Sequence, residues 1–152
     1  MYIENCNELL NISSNGVYEL TQDIDFEYKA IDKIFGDFKG ILDGKGHKIK
    51  NIVLKASEIW MNNQPICLFY TLRNATVKNV TFENIFIDNE ESIYNPQYSV
   101  LCDDACGTLF ENIEVNLNLK NDNIFPIVYN SYMCEYKNVK LSKNLILYKN
   151  NL

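Results

Sequence analysis

Apolar and polar residues alternate along much of this chain with a period of two, the mark of strands with one buried and one wet face. Four segments share one pattern, apolar-x-Asn-apolar-x-apolar: IKNIVL at 49–54, VKNVTF at 77–82, FENIEV at 110–115 and YKNVKL at 136–141. Their asparagines, Asn51, Asn79, Asn112 and Asn138, lie 28, 33 and 26 residues apart, within the range of solenoid repeats. The Asn breaks the alternation, because apolar residues fall at offsets −2, +1 and +3 from it. An extra residue at a bend restores the phase, and Asn is among the few non-glycine residues that tolerate left-handed backbone angles.

Upstream of each later Asn stands an apolar, β-rich segment: PICLFYTL, YSVLC and FPIVYNSY, each followed by a short turn with a small residue, Ala75, Cys106 and Cys134. Downstream, IFID, LNLK and LILY supply a third strand. Three short strands per period, with like stacking on like, predict a parallel β-helix. Asn51, Asn79, Asn112 and Asn138 then form one amide ladder along a corner. An antiparallel sandwich would also have short strands at regular spacing. However, Asn15-Gly16 is the only NG pair, and the junctions otherwise lack two-residue hairpin signals.

Two stretches resemble right-handed parallel β-helix domains of the GLUG-repeat type. GVYELTQDIDF at 16–26 carries Tyr18, Leu20, Asp23 and Ile24; FKGILDGKGHKIKNI at 38–52 carries Phe38, Gly40, Asp43, Gly44, Gly46, His47, Ile49, Asn51 and Ile52. The resemblance spans 16–54 and continues more weakly to about 141. It implies a right-handed coil stack and a motif that is structural, lending no catalytic residues. The expected fold is all-β: a single right-handed parallel β-helix over 1–152, with 1–15 an N-terminal cap, 16–141 the coils and 142–152 a C-terminal coil or cap. In the cap, Asn5 and Glu8 read as a helix-capping pair, with Cys6, Leu9 and Leu10 on one helical face. The tail KLSKNLILYKNNL places lysines at the other end, where they discourage edge-to-edge pairing.

An apolar share of 47% supports a buried core in one domain. No apolar run approaches the roughly 20 residues of a membrane-spanning helix, and MYIENCNELL has neither a basic nor an apolar leader region, so a cytoplasmic location is expected. The five cysteines form no C-x-x-C pair and read as buried reduced thiols.

The glycine stretch lends itself to three chemical readings. GILDGK is one residue short of a P-loop and is followed by His47 where Ser or Thr belongs. Gly40, Gly44 and Gly46 read instead as bends of positive φ, with Asp43-Gly44 a tight turn. As the lone histidine, His47 offers no metal cluster, and a hydrogen bond near the turn is its expected role. Asp23 with Asp25, and Asp103 with Asp104, are the carboxylate pairs a glycan-active enzyme would use, but no Arg, Lys or aromatic platform accompanies them. No cofactor or metal is expected.

Charge directs attention elsewhere. The net charge of −6 disfavours direct nucleic-acid binding. Between Asn79 and Tyr136, Glu83, Asp88, Glu90, Glu91, Asp103, Asp104, Glu111, Glu114, Asp122 and Glu135 face only Lys120. Displayed at coil spacings of about 4.8 Å, such a row competes for surfaces that hold phosphates. Glu83, Asp88, Glu90, Glu91, Asp103, Asp104, Glu111 and Glu114 are the expected contact set. The loops 55–65 and 87–99 add aromatic anchors at Trp60, Tyr94 and Tyr98. The functional expectation is a non-catalytic protein-binding β-helix, a phage or mobile-element inhibitor of anti-CRISPR-like or nucleic-acid-mimic style, blocking a host nucleic-acid-binding protein. The alternatives are a carbohydrate-binding or adhesin-type surface module and a small polysaccharide-active enzyme. No membrane partner is expected; a coil end stacking on its twin would give a homodimer.

Overall fold

A computed structural model describes residues 1–31, 35–55, 67–88, 99–119 and 127–145. Within them the period-two segments become strands β1 (Tyr2–Ile3), β2 (Val17–Leu20), β3 (Ile24–Asp25), β4 (Ala30–Ile31), β5 (Phe35–Phe38), β6 (Ile41–Asp43) and β7 (Lys48–Lys55). They continue as β8 (Phe69–Arg73), β9 (Thr76–Asp88), β10 (Cys102–Cys106), β11 (Leu109–Leu119), β12 (Val128–Tyr132) and β13 (Glu135–Leu145), with one helix, α1 (Cys6–Leu10), near the start. One sheet runs β1-β2-β6-β9-β11-β13, with β3, β4 and β7 joined beside it; the other runs β12-β10-β8-β5. The pairings are parallel, and each strand's partner lies about one period further along the chain. The all-β, parallel architecture and the short N-terminal helix match the sequence reading; the arrangement in two sheets replaces the three separate strands expected in each period.

Parallel register stacks like on like. Tyr18, Leu42, Val77, Phe110 and Tyr136 form one column, and Ile24, Ile49, Phe82, Val115 and Leu141 another. On the second sheet Phe38, Leu72 and Ala105 are aligned. All these residues except Tyr136 and Leu141 are buried, each contributing about 1.5–3 kcal/mol where a large side chain leaves water.

The expected third strand is the continuation of the second where IFID completes β9 and Leu117–Leu119 completes β11, while LILY past Leu145 lies outside the described residues. β9, β11 and β13 run through the Asn motif without a break, and the corner is a single left-handed residue: Asn79 at φ 55°, Asn112 at 52° and Asn138 at 54°. A third corner, where β8, β10 and β12 lead into β9, β11 and β13, uses Asn74, Gly107 and Met133 at φ 48°, 60° and 53°. Thr108, and not Cys106, therefore stands level with Ala75 and Cys134; Cys106 ends β10 opposite Arg73 and Tyr132.

Asn51 does not belong to the ladder assigned to it. Register places Ile49 against Phe82 and Ile52 against Ile85, so Asn51 lies level with Asn84, whose segment FENIFI repeats the motif five residues after VKNVTF. Two ladders result. In one, Asn79 donates its side-chain N–H to Asp43 Oδ1 at 3.1 Å, Asn112 to Asn79 Oδ1 at 3.0 Å and Asn138 to Asn112 Oδ1 at 3.0 Å. In the other, Asn51 donates to Asp25 Oδ1 at 2.9 Å, Asn84 to Asn51 Oδ1 at 3.2 Å and Asn118 to Asn84 Oδ1 at 3.3 Å. A carboxylate thus heads each ladder.

Among the three glycines, only Gly46 has positive φ, at 85°. It follows Lys45 (φ 53°) in a tight turn closed by the His47 N–H on the Gly44 carbonyl. Gly40 and Gly44 serve close approach instead: a Cβ on Gly40 would run into the Gly16 carbonyl, and one on Gly44 into the Asn79 carbonyl. Asp43 accepts the Lys45 N–H at 2.9 Å, which holds the turn from behind.

The start of the chain is more than a cap. β1 already pairs with β2, placing Tyr2 level with Glu19 and Ile3 level with Leu20. α1 is capped as read: the Glu8 N–H donates to Asn5 Oδ1 at 3.0 Å, and Leu9 is fully buried. All five cysteines are free, but only Cys67 and Cys102 are buried; Cys106 is exposed, and Cys6 and Cys134 are half-buried. Burial pushes the Cys102 thiol up to about 12.

Candidate functional site

The expected acidic row is broken by register. On the larger sheet, Glu19, Asp43, Lys78, Glu111 and Lys137 form one column, so Glu111 lies between two lysines contributed by neighbouring strands. Glu114 stands between Thr81 and Lys140. Glu83 lies level with Lys50 and makes an ion pair with Lys48 at 3.3 Å, while Asp88 lies level with Lys55. Counting charges along the chain from 79 to 136 missed these lysines, since Lys48, Lys50, Lys55, Lys78, Lys137 and Lys140 all lie outside that window. Opposite charges at neighbouring register positions stabilise a sheet by roughly 0.2–1 kcal/mol per pair, and they interrupt the run of carboxylates.

Asp103 and Asp104 are brought to the other sheet, on β10. Asp104 is exposed and lies level with Asn130 on β12. Asp103 is half-buried, and one of its carboxylate oxygens has no hydrogen-bond partner; burial, and then the nearby Asp104 charge, raise its pKa. Glu90, Glu91, Trp60, Tyr94 and Tyr98 lie outside the described residues.

The other candidate pair is tied into the fold. Asp23 accepts the Lys48 N–H at 2.9 Å and lies 3.5 Å from His47 Nδ1; the hydrogen bond of His47 at the turn is that of its backbone N–H to the Gly44 carbonyl. Asp25 accepts the Glu27 N–H and the Asn51 amide, which lower its pKa in that order. Burial pushes Asp43 up, but the Lys45 N–H, the Asn79 amide and the Lys45 and Lys78 charges outweigh it, and its pKa is lowered. A carboxylate depressed in the folded state adds stability above its unfolded pKa and withdraws it as protons bind. The unfolding free energy should therefore drop as pH falls below about 4, the ordinary carboxylate range. Asp43→Asn, which keeps the acceptor and removes the charge, should flatten that drop in urea titrations across acid pH.

The feature that sequence reasoning missed is the exposure of β12, β13 and the bend between them. Tyr129, Tyr132, Met133 and Tyr136 are 44%, 67%, 77% and 45% exposed, whereas Phe110, one coil earlier in the column of Tyr136, is fully buried. Tyr136 stacks on Phe110 with ring centres 5.0 Å apart and planes at 9°, continuing the core column into solvent. Its hydroxyl lies 2.7 Å from the Ser131 hydroxyl. Among the described residues no strand pairs with β13 or β12 on its far side. The signal was present in FPIVYNSYMCEY, with its four aromatics, but it reads as one more apolar, β-rich segment, because tyrosine suits a strand whether its face is buried or wet.

Among the described residues, no group of three or more His, Cys, Asp or Glu could hold a metal ion, and no helix is long and apolar enough to cross a membrane. No protein-family model, curated protein or solved structure matches this chain.

Proposed function

We propose that this protein is a non-catalytic binding module, built as a right-handed parallel β-helix akin to the GLUG-repeat type, whose last coil docks a partner protein. Right-handedness is supported by the near-universal hand of connections between parallel strands. The observation that carries the binding reading is the exposure of Tyr129, Tyr132, Met133 and Tyr136 on β12, β13 and the bend between them, where both sheets end among the described residues. Aromatic side chains grouped on a rigid face are the usual anchors of protein interfaces.

The narrower reading is a phage or mobile-element inhibitor acting in a bacterial cytoplasm on a host protein that handles nucleic acid. Its support is the exposed Asp104, level with Asn130, the chain neighbour of Tyr129, and not a continuous acidic row. Affinity capture from host lysate tests both readings. The wild-type chain should retain a specific protein, and the exposed changes Tyr129→Ser and Tyr132→Ser should release it while leaving the fold intact. Asp104→Lys should weaken retention of a nucleic-acid-binding partner and abolish its salt sensitivity. Retention indifferent to the tyrosine changes would sink the docking reading; indifference to Asp104→Lys alone would sink the mimicry.

A further inference from the structure

The free side of β13 specifies what can pair with it. Among the described residues no strand pairs with its far side, and its backbone groups along Glu135–Leu145 form a template for another strand. In the outer columns the order is Lys78, Glu111, Lys137 and Thr81, Glu114, Lys140. Lysine stands last in both, so the next place in each suits a carboxylate.

The asparagine ladder adds a direction. Ionised Asp43 can only accept, so Asn79 must turn its N–H toward it and its oxygen toward Asn112, and the same choice propagates to Asn138. Asn138 gives its N–H backward and presents its oxygen forward, where a side-chain amide fits. Tyr136, Val139 and Leu141, whose column partners Phe110, Ile113 and Val115 are buried, call for apolar residues. The complement is apolar–acid–Asn–apolar–acid–apolar, the pattern of FENIEV in β11.

We infer that β13 is a strand-addition site for an extended, acidic, amphipathic segment of a partner protein, which pairs in parallel and continues the columns. A second copy is a poorer occupant: pairing β13 on β13 brings Lys137, Lys140 and Lys143 against their like, and the opposite edge of the sheet, β1, offers only Tyr2–Ile3, with no carboxylate to set against Lys137 or Lys140. Residues 146–152 of this chain carry Lys149 and no acid. The inference rests on the protein-binding reading above and supplies its partner chemistry.

The probe is a labelled peptide with the sequence of residues 109–119, and a counterpart with both glutamates changed to lysine, titrated with the full chain and read by fluorescence anisotropy. The acidic peptide should bind about tenfold more tightly at low salt, with the gap closing as salt rises. The double variant Lys137→Glu, Lys140→Glu should reverse the preference. Equal binding of both peptides, no binding, or a preference untouched by the double variant overturns the inference. So does sedimentation showing a stable dimer that excludes the peptide. If peptides fail while host-protein capture succeeds, only strand addition falls; if both fail, the binding reading falls with it.

Discussion

Changing Asn79 to Ala should lower the unfolding free energy by about 3 kcal/mol, combining two ladder hydrogen bonds at ~1 kcal/mol each with ~1 kcal/mol because alanine lacks the short polar side chain that eases asparagine into the left-handed region. Asn79 holds φ 55°, donates to Asp43 and accepts from Asn112, so one residue turns the strand and joins three coils. The glycine variant separates these roles. Asn79→Gly relieves the backbone and still loses the ladder, so it should cost about 2 kcal/mol. Asn79→Asp sets a second carboxylate against Asp43; it should be the worst of the three near neutral pH and recover partly in acid, the reverse of the wild-type trend. Urea unfolding of the three variants decides this, and equal losses for Ala and Gly would show that the corner angle carries no strain.

Gly40→Ala should be as damaging, about 3 kcal/mol from overpacking and a broken rung. The added Cβ would enter the Gly16 carbonyl, which accepts the Ile41 N–H at 3.0 Å, and would also press on the Phe38 ring. Gly40 in turn gives its carbonyl to the Thr76 N–H at 3.0 Å, so a shift there is felt on both sides. Gly36 is the control: nothing lies within 4 Å of a Cβ built on it, and Gly36→Ala should move stability by less than about 0.5 kcal/mol. Comparable thermal shifts for the two variants would contradict the close-approach account of Gly40.

Much of the fold was legible because parallel stacking repeats one local rule. The Asn with apolar residues at −2, +1 and +3 is a physical instruction, a strand that bends through one left-handed residue, and it can be read wherever it occurs. What could not be read was which copies stack. Asn79 and Asn84 both satisfy the rule within one coil, and the two-residue excess of the Gly44–His47 turn hides Asp43 as the true mate of Asn79. A carboxylate heading an amide ladder has no sequence pattern of its own, since Asp25 and Asp43 look like any turn aspartate.

The candidate site was the less legible part for the same reason. Charge counted along the chain is not charge on a face: Glu111 and Glu114 were read as a bare acidic row, and the strands at their sides carry Lys78, Lys137 and Lys140. Tyr136 matches the buried Tyr18 in type and column, but among the described residues no strand follows β13 to cover it.

Residue-resolved amide hydrogen exchange on the free chain and on the chain saturated with the peptide of residues 109–119 tests the strand-addition account most directly. Exchange should slow at alternate amides between Glu135 and Lys143, those aimed away from β11, while β2 and β6 at the far side of the sheet stay unchanged. Protection that appears elsewhere, or leaves β13 exchanging as freely as before, would contradict it.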